Sequence, residues 1–171
     1  SPLLYLDTDV VVDADLTTSL QRIAASRGLC VTTEREIYPE LGALSVGVLP
    51  RDAYRGEWFG LWLLKDDPAC REDLVPLVNS GIIGLADHDM ARAICAMVVD
   101  LYTSAWHKDI AYLGDQPFLN YVLTKARAAD TEALLGTCQF ATHCAQYPFR
   151  PRGFMHFTWA RNEQKPPQML A

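Results

Sequence analysis

Leu3-Leu4-Tyr5-Leu6-Asp7-Thr8-Asp9-Val10-Val11-Val12 runs from an apolar tetrad through two acids into a β-branched triad. Together with Pro2, the tetrad reads as a buried strand, and the acids then stand beyond its carboxyl end. Side chains two apart in an extended chain share a face, which sends Asp7 and Asp9 to one side and Thr8 to the other. Burying two unpaired carboxylates is costly, so a shared cation is their natural partner. Hard divalent ions such as Mg²⁺ and Mn²⁺ take carboxylate and water ligands and keep open positions for substrate phosphates. A pair of acidic turn residues at a strand end is the plainer alternative, and the apolar approach favours the metal. Ligand crevices of α/β domains are built from several strand ends. Because the sequence opens directly on this strand, part of the crevice is expected to come from upstream of Ser1.

Outward from this stretch, strand and helix signals alternate. A helix opening at Asp15 or Thr17 runs to Arg27 and stops at Gly28, and a strand follows over 29–33. A short strand over 44–49 ends at Pro50, and a helix over 51–64 carries interruptions at Gly56 and Gly60. Asp66-Asp67-Pro68 marks a turn, 74–78 is apolar, and 79–85 reads as a loop entering a strand. Asp87 or Asp89 caps a helix over 90–104, in which Ala91, Ile94, Cys95, Val98 and Leu101 form one buried face. A further helix over 116–129 has Asp115 at its entrance and Pro117 in its first turn. Strands over 134–142 and 153–158 precede a polar tail. The fold expected is α/β with a mixed central sheet, one domain over residues 1–171.

Composition bounds the partners. In a chain of 171 residues, half of them apolar, a net charge of −6 with no Lys/Arg run removes the counterion-release term that drives binding to nucleic acid. The longest apolar stretch, 94–101, is broken by Asp100 and falls short of the ~20 residues that span a bilayer, so no transmembrane segment is expected. Five cysteines without a Cys-x-x-Cys pair suggest neither a disulfide framework nor a zinc ribbon, and a reducing, cytoplasmic compartment is expected. Cys138, His143 and Cys144 lack a fourth ligand and read as packing residues.

Leu4-Tyr5-Leu6-Asp7-Thr8-Asp9-Val10-Val11 resembles the metal-binding strand of family-eight glycosyltransferases, retaining enzymes of GT-A fold. Later segments follow in the family's order. Asn79-Ser80-Gly81-Ile82-Ile83 is similar to its Asn-x-Gly-apolar strand, Gly114-Asp115-Gln116-Pro117-Phe118-Leu119-Asn120 to its Asp-Gln-x-x-Leu-Asn segment, and His156-Phe157 to its final His-Phe. The resemblance implies a GT-A-like fold whose nucleotide-binding βαβ portion would precede this stretch. It implies Asp7, Asp9 and His156 as ligands of Mn²⁺ or Mg²⁺, and Asn79, Gly81, Asp115 and Gln116 around the donor sugar. Asp115 would orient sugar hydroxyls, and the Gln116 carbonyl would steady positive charge at the anomeric carbon. Lys165 would reach the diphosphate, although it arrives three residues later than in the family's ending and Trp159 stands in place of a glycine. Trp159 and Trp58 offer aromatic faces for an acceptor. The implied donor is a UDP-sugar, and the acceptor is an unidentified sugar, lipid or protein hydroxyl.

Two other classes compete. A non-catalytic module that binds a nucleotide sugar would keep the same residues. The stretch Asp7-x-Asp9-x-Val11 also resembles the opening motif of haloacid-dehalogenase-like phosphatases, with Asp7 as nucleophile and Asp9 as acid/base. That family needs a later acidic metal segment, yet Gly114-Asp115 is followed by Gln116, Pro117, Phe118, Leu119 and Asn120 with no second carboxylate.

Overall fold

The computed structural model describes residues 1–104, 114–140 and 152–157. Among these residues the strands form two sheets, each mixing parallel and antiparallel pairs. In the larger sheet β1 (Leu3–Leu6) pairs antiparallel with β4 (Val78–Leu85), β4 antiparallel with β3 (Leu29–Thr33), and β3 parallel with β5 (Ala129–Asp130). In the smaller, β2 (Val10–Val12) runs antiparallel to β7 (Phe154–His156), which lies parallel to β6 (Cys138–Phe140). The α/β class with mixed sheets therefore holds.

Among the described residues the opening strand is an edge, half exposed rather than buried as expected. With β4 as its one sheet neighbour among the described residues, β1 leaves Leu3 and Tyr5 about half exposed, while Leu4 and Leu6 pack on the core. The buried strand is β4, which already begins at Val78, where a loop was expected to lead in.

Helix α1 (Thr17–Ala25) turns Ile23 into the core. Asp15 Oδ1 accepts from the Thr17 amide at 2.8 Å and the Thr17 hydroxyl at 2.7 Å, which satisfies one orphan donor of the first turn. Helix α4 (His88–Thr103) starts where Asp87 accepts from the amides of Asp89 and Met90, at 3.0 and 2.9 Å. Ala91 and Ile94 are buried and Val98 and Leu101 partly so, but Cys95 is exposed, because one residue past Ile94 the helix has already rotated off the buried stripe.

The segment between β3 and β4 departs most from expectation. No strand forms over 44–49 beyond a single bridge of Ser45 with Leu74. Its carbonyls turn instead toward one ammonium: Lys65 Nζ donates to the carbonyls of Val46, Gly47 and Leu49 at 3.1, 3.3 and 2.5 Å. After α2 (Pro39–Gly42), the helix expected over 51–64 is a 3-10 turn, Gly56–Phe59, followed by α3 (Leu61–Asp66). Gly60 divides them at φ +68°, where a Cβ would collide with the Pro117 carbonyl.

Helix α5 (Gln116–Ala126) packs against α3, α4 and β4. Its Asn120 is fully buried and serves β4 as an extra strand partner. The Asn120 side-chain Oδ1 accepts from the Val78 amide at 2.9 Å, and its Nδ2 donates to the carbonyls of Val78 and Gln116, both at 2.9 Å. This fastening holds the first turn of α5 beside the start of β4. The helix stops at Ala126, short of 129, because Arg127 adopts a left-handed conformation at φ +50°. The strands expected over 134–142 and 153–158 shorten to β6 and β7, and their ends at 141–142 and 158 lie outside the described residues.

No helix among the described residues is long and apolar enough to cross a membrane. Cys30, Cys70, Cys95 and Cys138 are free thiols.

Candidate metal centre

β1 ends at Leu6, and the chain turns through Thr8 and Asp9 before β2 begins. The Asp7 amide donates to the Gly81 carbonyl at 2.8 Å, which ties Asp7 to β4, and the Val10 amide closes the turn onto the Asp7 carbonyl at 3.2 Å. The Asp9 carbonyl accepts from the Phe157 amide at 3.0 Å, which draws in the end of β7. Further along β2 the register is fixed by Asp13. Its carboxylate accepts from the amides of Arg152 and Gly153 at 3.1 and 2.7 Å, and its own amide donates to the Gly153 carbonyl at 3.1 Å. Val10 therefore faces His156 across the β2–β7 pair.

These connections bring Asp7, Asp9 and His156 together, with one ligand atom from each within 4.8 Å of the others. His156 Nε2 lies 3.2 Å from Asp9 Oδ1. A cation held at about 2.1 Å sets neighbouring octahedral ligands roughly 3 Å apart, so this spacing suits one small ion. The imidazole is buried, flanked by the Phe140 ring at 5.8 Å, and its Nδ1 has no hydrogen-bond partner among the described residues, so Nε2 is the nitrogen turned to the carboxylates. Two carboxylates and an imidazole make an oxygen- and nitrogen-donor set that one divalent cation could use. Gly81 borders the same point. A Cβ there would lie 2.9 Å from His156 Nε2, 3.0 Å from Asp7 Oδ2 and closer still to His156 Cε1.

The residues expected around a donor sugar lie in two layers. Asp115 is exposed at the mouth of α5, where its Oδ1 accepts from the Ser80 hydroxyl at 3.1 Å. Gln116, half-buried beside it, accepts from the Ser80 amide at 3.3 Å. Asn79 is buried behind them with both ends of its amide engaged, accepting from the Gly81 amide at 2.9 Å and donating to Glu34 Oε1 at 2.7 Å. Trp58 packs against the core cluster around Phe59. Lys165 and Trp159 lie outside the described residues, as do His143 and Cys144.

Two residues here had not been singled out from the sequence. Glu34 is only 2% exposed just past the end of β3, and its Oε2 is buried without a hydrogen-bond partner among the described residues. Burial pushes its carboxyl above the ordinary range, against the Asn79 hydrogen bond and the charge of His156. Tyr5 donates from its phenol to Asp7 Oδ1 at 2.6 Å. That bond, then burial, then the charges of Asp7, Asp115 and Asp9, push the phenol up to about 12. A tyrosine two residues before an acid at the end of a strand was the available signal, since side chains two apart in extended chain share a face.

The centre thus offers a cation a three-residue grip, with hydroxyl- and amide-binding groups beside it. Compared with models of known protein families, with curated proteins and with solved structures, the chain matches none.

Proposed function

We propose that this chain transfers a sugar from a nucleoside diphosphate sugar to an acceptor hydroxyl, in the manner of the retaining GT-A enzymes it resembles. Asp7, Asp9 and His156 would hold the cation, and UDP is the nucleotide the resemblance favours. The observation that carries this reading is the meeting of two carboxylates and an imidazole from opposite ends of the sequence, packed against Gly81, where a side chain would push His156 and Asp7 away. When bound, the cation supplies positive charge to the diphosphate as the sugar leaves it.

The chain's own residues do the positioning. Asp115 is exposed and keeps acceptor capacity for sugar hydroxyls beyond the Ser80 contact. Gln116 presents its amide carbonyl beside the sugar. A neutral amide is a poor nucleophile, so front-face substitution with retention suits it better than a stable covalent intermediate. Asn79 fixes the Gly81 backbone from behind, and Lys165 and Trp159 are the candidate contacts to diphosphate and acceptor.

The test is hydrolysis and transfer of UDP-sugars with and without Mn²⁺, in the wild type and in Asp9→Ala. Asp9→Ala is expected to lose Mn²⁺ binding and to lower turnover by about two to three orders of magnitude with circular dichroism unchanged. Unchanged turnover in that variant removes the metal assignment. UDP-sugar binding without any turnover would favour the non-catalytic module, and release of phosphate from a simple ester would favour the phosphatase.

A further inference from the structure

We propose that Tyr5 decides which cation this centre accepts, by occupying one oxygen of Asp7 and leaving the other for one-point ligation of Mn²⁺ or Mg²⁺ in preference to Ca²⁺. The inference rests on the metal centre described above and extends it to ion selectivity.

The two oxygens of Asp7 stand in different surroundings. Oδ1 receives the Tyr5 phenol at 2.6 Å, the short separation of a hydroxyl donating to a charged carboxylate. Oδ2 faces the point beside Gly81 that His156 Nε2 also borders. The oxygen that lies with the imidazole against Gly81 is thus the one the phenol leaves unclaimed. Tyr5 lies in β1 and Asp7 just past its end, where the Asp7 amide still bonds the Gly81 carbonyl of β4, so the two side chains emerge on the same side of the chain.

One-point ligation matters because the candidate ions differ in how they use a carboxylate. Ca²⁺ takes six to eight oxygens at about 2.3–2.6 Å and readily accepts both oxygens of one carboxylate, whereas Mg²⁺ demands near-octahedral geometry at about 2.0–2.1 Å. A carboxylate whose rotation the phenol fixes presents one oxygen to the ion, which denies Ca²⁺ the two-oxygen grip it accepts and costs an octahedral ion nothing. Removing the phenol frees Oδ1 and lets Asp7 swing to embrace a larger ion, while the small ion loses a ligand held in its productive direction.

The experiment is calorimetric titration of the full chain with MnCl₂ and, separately, CaCl₂, for the wild type and Tyr5→Phe, with circular dichroism of both proteins. The wild type is expected to prefer Mn²⁺. Tyr5→Phe is expected to bind Mn²⁺ about tenfold more weakly, in the range for loss of a hydrogen bond to a metal ligand. Its Ca²⁺ affinity should hold or rise, so that the ratio of the two falls by at least the same factor. A ratio unchanged by the substitution, whether both affinities stay or both fall together, overturns the role of Tyr5 while leaving the metal centre standing. A variant that loses its native circular dichroism overturns it too, because the phenol would then be holding the fold. A wild type that binds neither ion sinks the metal centre itself.

Discussion

A methyl group at residue 81 would press on His156 and Asp7 together, 2.9 Å from the imidazole Nε2 and 3.0 Å from Oδ2 of the acid. Neither neighbour can yield freely, since the Asp7 amide is bonded to the residue 81 carbonyl and the imidazole is buried against Phe140. Gly81→Ala is therefore expected to cost about 1–3 kcal/mol, the usual range for overpacking, and to abolish Mn²⁺ binding by spreading the ligands. Chemical denaturation and calorimetry read the two effects. An alanine variant that binds Mn²⁺ like the wild type would show that the ligands close on the ion without needing that space. The sequence made Asp7, Asp9 and His156 readable, because an acid pair after an apolar strand and a late His-Phe belong to a pattern. Glu34 was not readable. It lies in the run Thr33-Glu34-Arg35-Glu36, which looks like a solvated corner, and only the pairing of β3 with β4 carries it to Asn79.

At the scale of elements, Asp67 shows how a turn residue fastens a helix. Its side chain accepts from the Ala69 amide of its own turn at 3.0 Å, and from Tyr121 and Lys125 of α5, each at 2.9 Å. Chiefly through the Lys125 contact, its pKa falls from the ordinary 3.8 to about 2. A folded-state value below the unfolded one means that the carboxylate adds stability above the ordinary value, and that this stability is lost as pH falls toward the folded value. Asp67→Asn should therefore be less stable than the wild type at neutral pH, with the gap closing as pH drops from 3.8 toward about 2. Urea denaturation across that range measures it, and a gap that does not vary with pH would remove the charge from the explanation. Long periodic elements such as α4 and α5 were legible because their apolar residues recur at helical spacing and a cap or a proline marks the start. The 44–49 stretch misled because alternating polar and apolar residues resemble a strand, and nothing local announces that Lys65 will collect its carbonyls. That β1 pairs with β4 alone among the described residues was hidden for a related reason: apolar composition reports that a strand packs, not how many neighbours it has.

Across the whole molecule, the candidate centre stands on the seam between the two sheets. Asp7 is tied to β4 of the larger sheet, His156 belongs to β7 of the smaller, and Asp9 lies on the turn between β1 and β2 that joins them. β6 and β7 contribute three residues each, so the smaller sheet has few ladder bonds of its own among the described residues. A cation gripped by all three ligands would cross-link the sheets and bind only the folded chain. At a hundredfold excess over its Kd, such a ligand adds about 2.7 kcal/mol, and for a domain of this size that raises Tm by roughly 5–10 °C. The gain should be concentrated where the cross-link acts. Mn²⁺ is expected to slow amide exchange at Met155 on β7 and at Phe157 just beyond it, whose amide donates to the Asp9 carbonyl, more than at Ile94 in the middle of α4, which contributes no ligand. His156→Ala should lose both the shift in Tm and the protection. Equal shifts in the wild type and in His156→Ala would mean that Mn²⁺ binds elsewhere. A wild-type shift without added protection on β7 would mean that the ion sits on the Asp7–Asp9 turn alone and leaves the two sheets unlinked.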